Sequence, residues 1–238
     1  MIEAVLFDWG GTLSVHADVD LADMWRLAAH HLDPVREDEL CRRLVQVEAR
    51  TWSWIAEDQR AVTLGQILRM ASDELGLDVT EAVLEEAATS HLDSWTPHIV
   101  HDPEAASMLT ALKGRGLRTV LLSNTHWPRT FHEHFLARDG LADLLDARLY
   151  TSELTHTKPH AVAFQAALDA VGVDDPRRAV FVGDRLYDDI LGALSMGMRA
   201  VHRPNPKVPT FDIEPDAAID RLAELPALID QWSTSSHG

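Results

Sequence analysis

Cysteine is nearly absent from this 238-residue chain: Cys41 stands alone and can form no internal disulfide, which points to a reducing compartment. Lysine is almost as scarce, with Lys113, Lys158 and Lys207 the complete set. Basic residues are outnumbered, 21 Lys and Arg against 38 Asp and Glu, for a net charge of −17. That excess repels nucleic acid and anionic membrane surfaces. An anionic substrate would need a local pocket of positive charge. No apolar run approaches the ~20 residues of a bilayer span. The N-terminus lacks the basic start and apolar stretch of a signal peptide. These absences predict a soluble cytoplasmic protein that binds neither nucleic acid nor membrane. Apolar residues are plentiful at 46%, which excludes a disordered chain and can fill a core without staples.

The chain opens on a short apolar run, Ala4-Val5-Leu6-Phe7, that stops at Asp8 and turns through Gly10-Gly11. A short run bounded by glycine reads as a buried strand. Four apolar stripes of helical period follow: Leu21, Met24, Trp25 and Ala28; Leu40, Leu44, Val47 and Trp54; Leu64, Ile67, Leu68 and Ala71; and Leu84, Ala88, His91 and Trp95. Thr63 and Gln66 have capping-box spacing. Residues 15–96 are therefore expected to form an all-helical segment. Beyond it, strands expected at Arg118–Ser123, Ala147–Tyr150, Ala179–Gly183, Ala200–Val201 and Ala217–Ile219 alternate with helices. Those helices run from Asp102-Pro103 to Gly114, Pro128 to Ala137, Pro159 to Gly172, onward through Ala193, and Pro226 to Trp232. Such alternation implies a parallel sheet with right-handed crossovers. The first strand cannot bury itself alone and must join that sheet. The expected fold class is α/β: a Rossmann-like, doubly wound parallel sheet core (1–14 plus 97–238) with an inserted all-helical domain (15–96).

Ligands of such sheets bind beyond the carboxyl ends of the strands. Here the strand ends carry Asp8, Ser123-Asn124 and Gly183-Asp184, and Lys158-Pro159 opens a helix between the last two. Two carboxylates brought together need a cation or a shared proton. A hard, oxygen-liganded ion such as Mg²⁺ suits them, and a lysine can meet a phosphate as a point charge.

At these residues the chain resembles the haloacid dehalogenase-like hydrolase superfamily. Asp8-Trp9-Gly10-Gly11-Thr12-Leu13 stands where that family has Asp-x-Asp-Gly-Thr. Leu122-Ser123-Asn124, Lys158-Pro159 and Val182-Gly183-Asp184, with Asp188-Asp189 following, match its second, third and fourth motifs in order. The helical insert is similar to the family's type-1 cap. The resemblance implies Asp8 as nucleophile, forming an aspartyl phosphate. It implies Mg²⁺ held by Asp8, Asp184, the Gly10 carbonyl and Asp189, with Asp188 as the alternative to Asp189. Ser123 and Lys158 would bind the phosphoryl group, backbone N–H groups at Gly10 and Gly11 would assist, and Thr12 would shape the turn. Asn124 would hold loop backbone or touch substrate. The implied substrate is a small phosphorylated molecule; a homodimer is compatible with a segment rich in Trp and Leu.

Gly10 departs from the pattern. Most family phosphatases carry Asp there, which protonates the leaving alcohol and later activates water; such help is worth ~10²–10⁴-fold. Phosphonoacetaldehyde hydrolases resemble the Asp8–Thr12 stretch but need a cap lysine, and no lysine precedes Lys113. Dehalogenases of the family carry Tyr at this position and lack the Gly-Asp pair present here as Gly183-Asp184. Three readings follow: a phosphohydrolase with a substitute acid, an enzyme for acyl or aryl phosphates that needs none, or a nearly inactive phospho-ligand binder. His16, Glu48, Glu57 and His126 are candidate substitutes by position. Of the tryptophans, Trp25, Trp52 and Trp54 are candidates to face the cleft. His30-His31 and His132-x-His134 lack a third ligand in view and do not read as a transition-metal site.

Overall fold

The computed structural model describes residues 1–234 and, within them, every side chain but those of 53–57 and 234. β1 (Ala4–Phe7) is central in a six-stranded parallel sheet. On one side lie β2 (Arg118–Ser123) and β3 (Ala147–Tyr150); on the other lie β4 (Ala179–Gly183), β5 (Arg199–His202) and β6 (Ala217–Ala218). The strand order β3-β2-β1-β4-β5-β6 is that of a doubly wound sheet, and its switch point falls between β1 and β4. Successive residues of β1 serve different cores. Val5 and Phe7 join one apolar cluster with Leu121, Val180 and Val182; Ala4 and Leu6 join another with Val120, Leu122 and Phe181. A strand buried on both faces needs this unbroken apolar run.

The helices of the core follow the expected alternation with local differences. They are α5 (Ala105–Lys113), α6 (Arg129–Arg138), α7 (Ala161–Asp169), α8 (Gly192–Ser195) and α9 (Leu225–Thr234), counted after the four helices of the insert. α5 starts later than the Asp102-Pro103 signal predicts: Asp102 accepts the Glu104 N–H at 2.8 Å and an Arg203 N–H at 2.6 Å, closing a turn ahead of the helix. α7 likewise begins at Ala161, with His160 as its cap. The helix expected directly after β4 is instead a π-turn, Leu186–Leu191, that runs into α8; such wide turns gather at functional sites.

Between β1 and α5 lie α1 (Leu21–Leu32), α2 (Glu37–Asp58), α3 (Leu64–Glu74) and α4 (Glu81–Trp95). Their stripes are buried as the periodicity predicts, except that Leu21 is exposed and Ala88 and Trp95 are half-buried; the Trp54 side chain lies outside the described residues. The capping box forms: the Thr63 hydroxyl accepts the Gln66 N–H at 3.3 Å, and Gln66 Oε1 accepts the Thr63 N–H at 2.9 Å. The two chain crossings run side by side, with Ser14 bridged to His101 and Val15 N–H donating to Val100 O at 2.8 Å. The loop between α2 and α3 adds a third attachment. Thr157 N–H donates to Gln59 O at 2.7 Å, Ala61 N–H to Thr155 O at 3.1 Å and Leu64 N–H to His126 O at 2.8 Å. No helix among the described residues is long and apolar enough to cross a membrane.

Candidate active site

Strand register assembles the site. Phe7 lies opposite Leu121 on β2 and Val182 on β4, so Asp8, Ser123 and Asp184 emerge from neighbouring tips at the switch point. Lys158 Nζ, fully buried, donates to Asp8 Oδ1 and to Asp189 Oδ1, each at 2.7 Å. The backbone of Lys158 is fixed by Asn124, whose amide donates to Lys158 O at 3.0 Å and accepts Lys158 N–H at 2.8 Å. Asn124 thus positions the lysine while also lining the cavity described below. Asp189 accepts the Arg185 N–H at 3.0 Å through its other oxygen, an arrangement that the π-turn makes possible. Burial works against the Lys158 charge, but the Asp189 and Asp8 carboxylates overcome it and hold the ammonium well above its usual range.

Two glycines are required by these carboxylates. Gly11 has φ of +80°, and a Cβ there would meet Asp184 Oδ2 at 2.2 Å; a Cβ on Gly183 would meet Asp189 Oδ2 at 2.3 Å. Gly10 is different, since a Cβ built on it meets nothing within 4 Å. Thr12 is fully buried beneath the turn, its hydroxyl without a partner.

One oxygen from each of Asp8, Asp184 and Asp189 can lie within 4.8 Å of the others, the only such group of potential metal ligands among the described residues. Asp184 Oδ2 accepts from Asn205 Nδ2 at 2.8 Å, while its Oδ1 is buried without a partner. Burial, then Asp8 and Asp189, push the Asp184 carboxyl up to about 7. Burial likewise raises Asp8, against the pull of Lys158. Three buried carboxylates around one ammonium and an orphaned oxygen fit a hard divalent cation. Asp188 is outside the trio. It is half-buried, 3.9 Å from Arg185, and burial followed by Asp189 pushes it up to about 6.

Asp8, Gly10, Ser123 and Asn124 line one end of a cavity of about 780 Å³. Its far wall comes from the helical segment and from the chain after β2: Val45, Glu48, Trp52, Trp95, His126 and Trp127. Of the candidate substitute acids, His16, Glu48 and His126 line this space, and Glu57 lies outside the described residues. Glu48 Oε2 accepts from the buried Trp25 indole at 2.8 Å. Its carboxyl is raised by burial, against the hydrogen bonds of Trp25 and Trp52. Burial alone lowers His126 to about 4, so it is neutral, and its Nε2 stands 3.7 Å from Glu48 Oε1. Sequence reading named Trp52 for the cleft but missed Trp9, Trp95, Trp127 and Asn205. Trp9 follows the nucleophile candidate directly. Its indole donates to His101 Nε2 at 3.1 Å, and His101 Nδ1 lies 2.6 Å from Asp139.

The chain matches the family model of haloacid dehalogenase-like hydrolases over residues 2–197. It is 30% identical to a pyrimidine 5'-nucleotidase of Escherichia coli over 132 residues, 53% of this chain and 56% of that protein. The chain thus spans about half the length of that relative. A glyceraldehyde 3-phosphate phosphatase of Methanopyrus kandleri is 29% identical over 94% of this chain and 96% of its own length. Among solved structures, a 2-haloacid dehalogenase from Pseudomonas syringae has a TM-score of 0.69 at 26% identity, covering 98% of this chain and 100% of that one.

Proposed function

Because the chain belongs to the haloacid dehalogenase-like hydrolase family, we propose that it hydrolyses the phosphate ester of a small molecule through an aspartyl phosphate at Asp8, with Mg²⁺ as cofactor. The observation that carries this reading is the orphaned Oδ1 of Asp184 beside Asp8 at the switch point. That unpaired acceptor calls for a cation, and it supports phosphoryl transfer over the dehalogenation named for the Pseudomonas syringae neighbour. The nucleotidase and sugar-phosphate phosphatase among the relatives support the same class of substrate.

Asp8, Asp184, Asp189 and the Gly10 carbonyl would hold the ion, which supplies charge to neutralise phosphoryl oxygens and keeps Asp184 ionised. Lys158 neutralises Asp8 until substrate arrives and then offers its ammonium to the phosphoryl group. Ser123 donates its hydroxyl to a phosphoryl oxygen, and the turn at Gly10 and Gly11 offers backbone N–H groups. Asp8 then attacks phosphorus, and water hydrolyses the aspartyl phosphate. We read α1–α4 as a cap that closes this chamber to bulk water.

The direct test is phosphate release from p-nitrophenyl phosphate with and without Mg²⁺, alongside the Asp8→Asn variant. Mg²⁺-dependent release that vanishes in the variant supports the reading. Release that survives in Asp8→Asn removes Asp8 from the mechanism. Chloroacetate dehalogenated without metal would replace the proposal.

A further inference from the structure

The far end of the cavity is built largely of aromatic and apolar side chains. The described residues of α1–α4 that line it are Leu21, Val45, Glu48, Ala49, Trp52 and Trp95. The one charged group among them, Glu48, is already held by the Trp25 indole. This wall offers no lysine or arginine; the two that line the cavity, Arg185 and Lys207, come from the α/β core. Trp95 and Trp127 meet with ring centroids 5.0 Å apart, and both indole nitrogens are buried without a partner. An indole N–H only donates, and a buried donor is seldom left idle. The chamber thus presents aromatic side chains, with both indole nitrogens turned into the protein rather than onto its surface, and its volume is that of a small-molecule site.

At the other end, Gly10 supplies no acid, and open space lies where a side chain would be. An alkoxide is a poor leaving group without a proton; a phenolate departs without one. The two ends agree. We propose that the substrate is a phosphate monoester of an aromatic alcohol, its ring seated against Trp52, Trp95 and Trp127. This inference rests on the phosphohydrolase reading above and narrows its substrate class. Asp8 forms a bond to phosphorus as the phosphorus–aryl oxygen bond breaks. The electron pair leaves on the aryl oxygen, and the phenolate takes its proton from solvent. A water molecule then splits the aspartyl phosphate into inorganic phosphate and free Asp8.

Three substrates separate the subsite from the chemistry, each measured as kcat/KM with Mg²⁺: 1-naphthyl phosphate, acetyl phosphate and glycerol 3-phosphate. Acetate is a better leaving group than naphtholate, so reactivity alone would rank acetyl phosphate first. A ring subsite instead ranks 1-naphthyl phosphate first, by roughly tenfold or more, with glycerol 3-phosphate last. 1-Naphthol should also inhibit acetyl phosphate hydrolysis competitively, an assay that needs no variant. Trp95→Leu should shrink the naphthyl-to-acetyl ratio roughly tenfold. If acetyl phosphate is hydrolysed but the naphthyl ester gains nothing and naphthol does not inhibit, the ring subsite is wrong and the phosphohydrolase stands. If none of the three releases phosphate in a Mg²⁺-dependent way, the parent reading falls and the subsite with it.

Discussion

At the sheet end of the cavity, one ammonium joins two carboxylates, and a third carboxylate keeps an oxygen free. At the helical end, the rings of Trp95, Trp127, His126 and His132 form a shell in which several polar atoms have no partner. The first region is dense in charge and fixed by direct contacts. The second carries little charge and leaves several buried polar atoms without a partner. A ligand with an ionic head and an aromatic body would complement both. The contrast teaches that the charged and the aromatic ends of the cavity come from separate parts of the chain, which the proposed function would use for phosphoryl chemistry and for leaving-group recognition respectively.

Variants at the sheet end should have the largest effects. Asp8→Asn should cut turnover by roughly 10⁴–10⁶-fold, the scale of losing a nucleophile; steady-state assays at saturating Mg²⁺ measure it. Lys158→Met leaves two buried carboxylates without their shared partner. Chemical denaturation of the metal-free protein should find it about 3–5 kcal/mol less stable; an unchanged midpoint would mean that the carboxylates are already neutral.

The aromatic end should dominate the response to acid. Burial lowers His91 and His132 to about 3 and His126 to about 4. All three are neutral in the fold but take up protons below about pH 6.5 when unfolded. The unfolded state then binds more protons, so stability is fully present above 6.5 and drains as pH falls toward 4 and 3. Each histidine costs about 1.4 kcal/mol per pH unit in that window. Thermal melts at pH 7 and 5.5 should differ sharply; a flat profile would contradict the burial of these rings.

Position 10, at the sheet end, should show a smaller, opposite effect. Gly10→Asp has room for its side chain and should raise turnover of alkyl phosphates by about 10²-fold. A fall would show that another group, Glu48 or His126, already does that work. The smallest effect concerns the metal. Burial and the neighbouring carboxylates raise Asp184 to about 7, and the proposed Mg²⁺ would bind its ionised form. Affinity should therefore weaken as pH drops below 7, by up to about tenfold per unit, which titration calorimetry at pH 8 and 6 would detect.

The sequence revealed these two regions unequally. Asp8, Ser123 and Asp184 each end a short apolar run, and Lys158 precedes a proline ahead of a helix, so their positions are readable from local pattern. The helical stripes were equally plain. Asn205 was not, because it reaches Asp184 from the loop after β5 and carries no signal of its own. The π-turn escaped notice because a wide turn and an ordinary helix share one apolar pattern. Trp9, Trp95 and Trp127 come from three distant stretches, and only the tertiary fold brings them to one chamber. Long-range convergence of this kind has no periodicity to read.

Asp8 is proposed to carry the phosphoryl group. Acid quench of the enzyme during turnover of an aryl phosphate, followed by peptide mass spectrometry, tests it most directly. With no acid–base side chain at position 10 to speed the second step, phosphate should accumulate on the peptide containing Asp8 and be missing from Asp8→Asn. Steady turnover with no adduct at that residue would contradict the account.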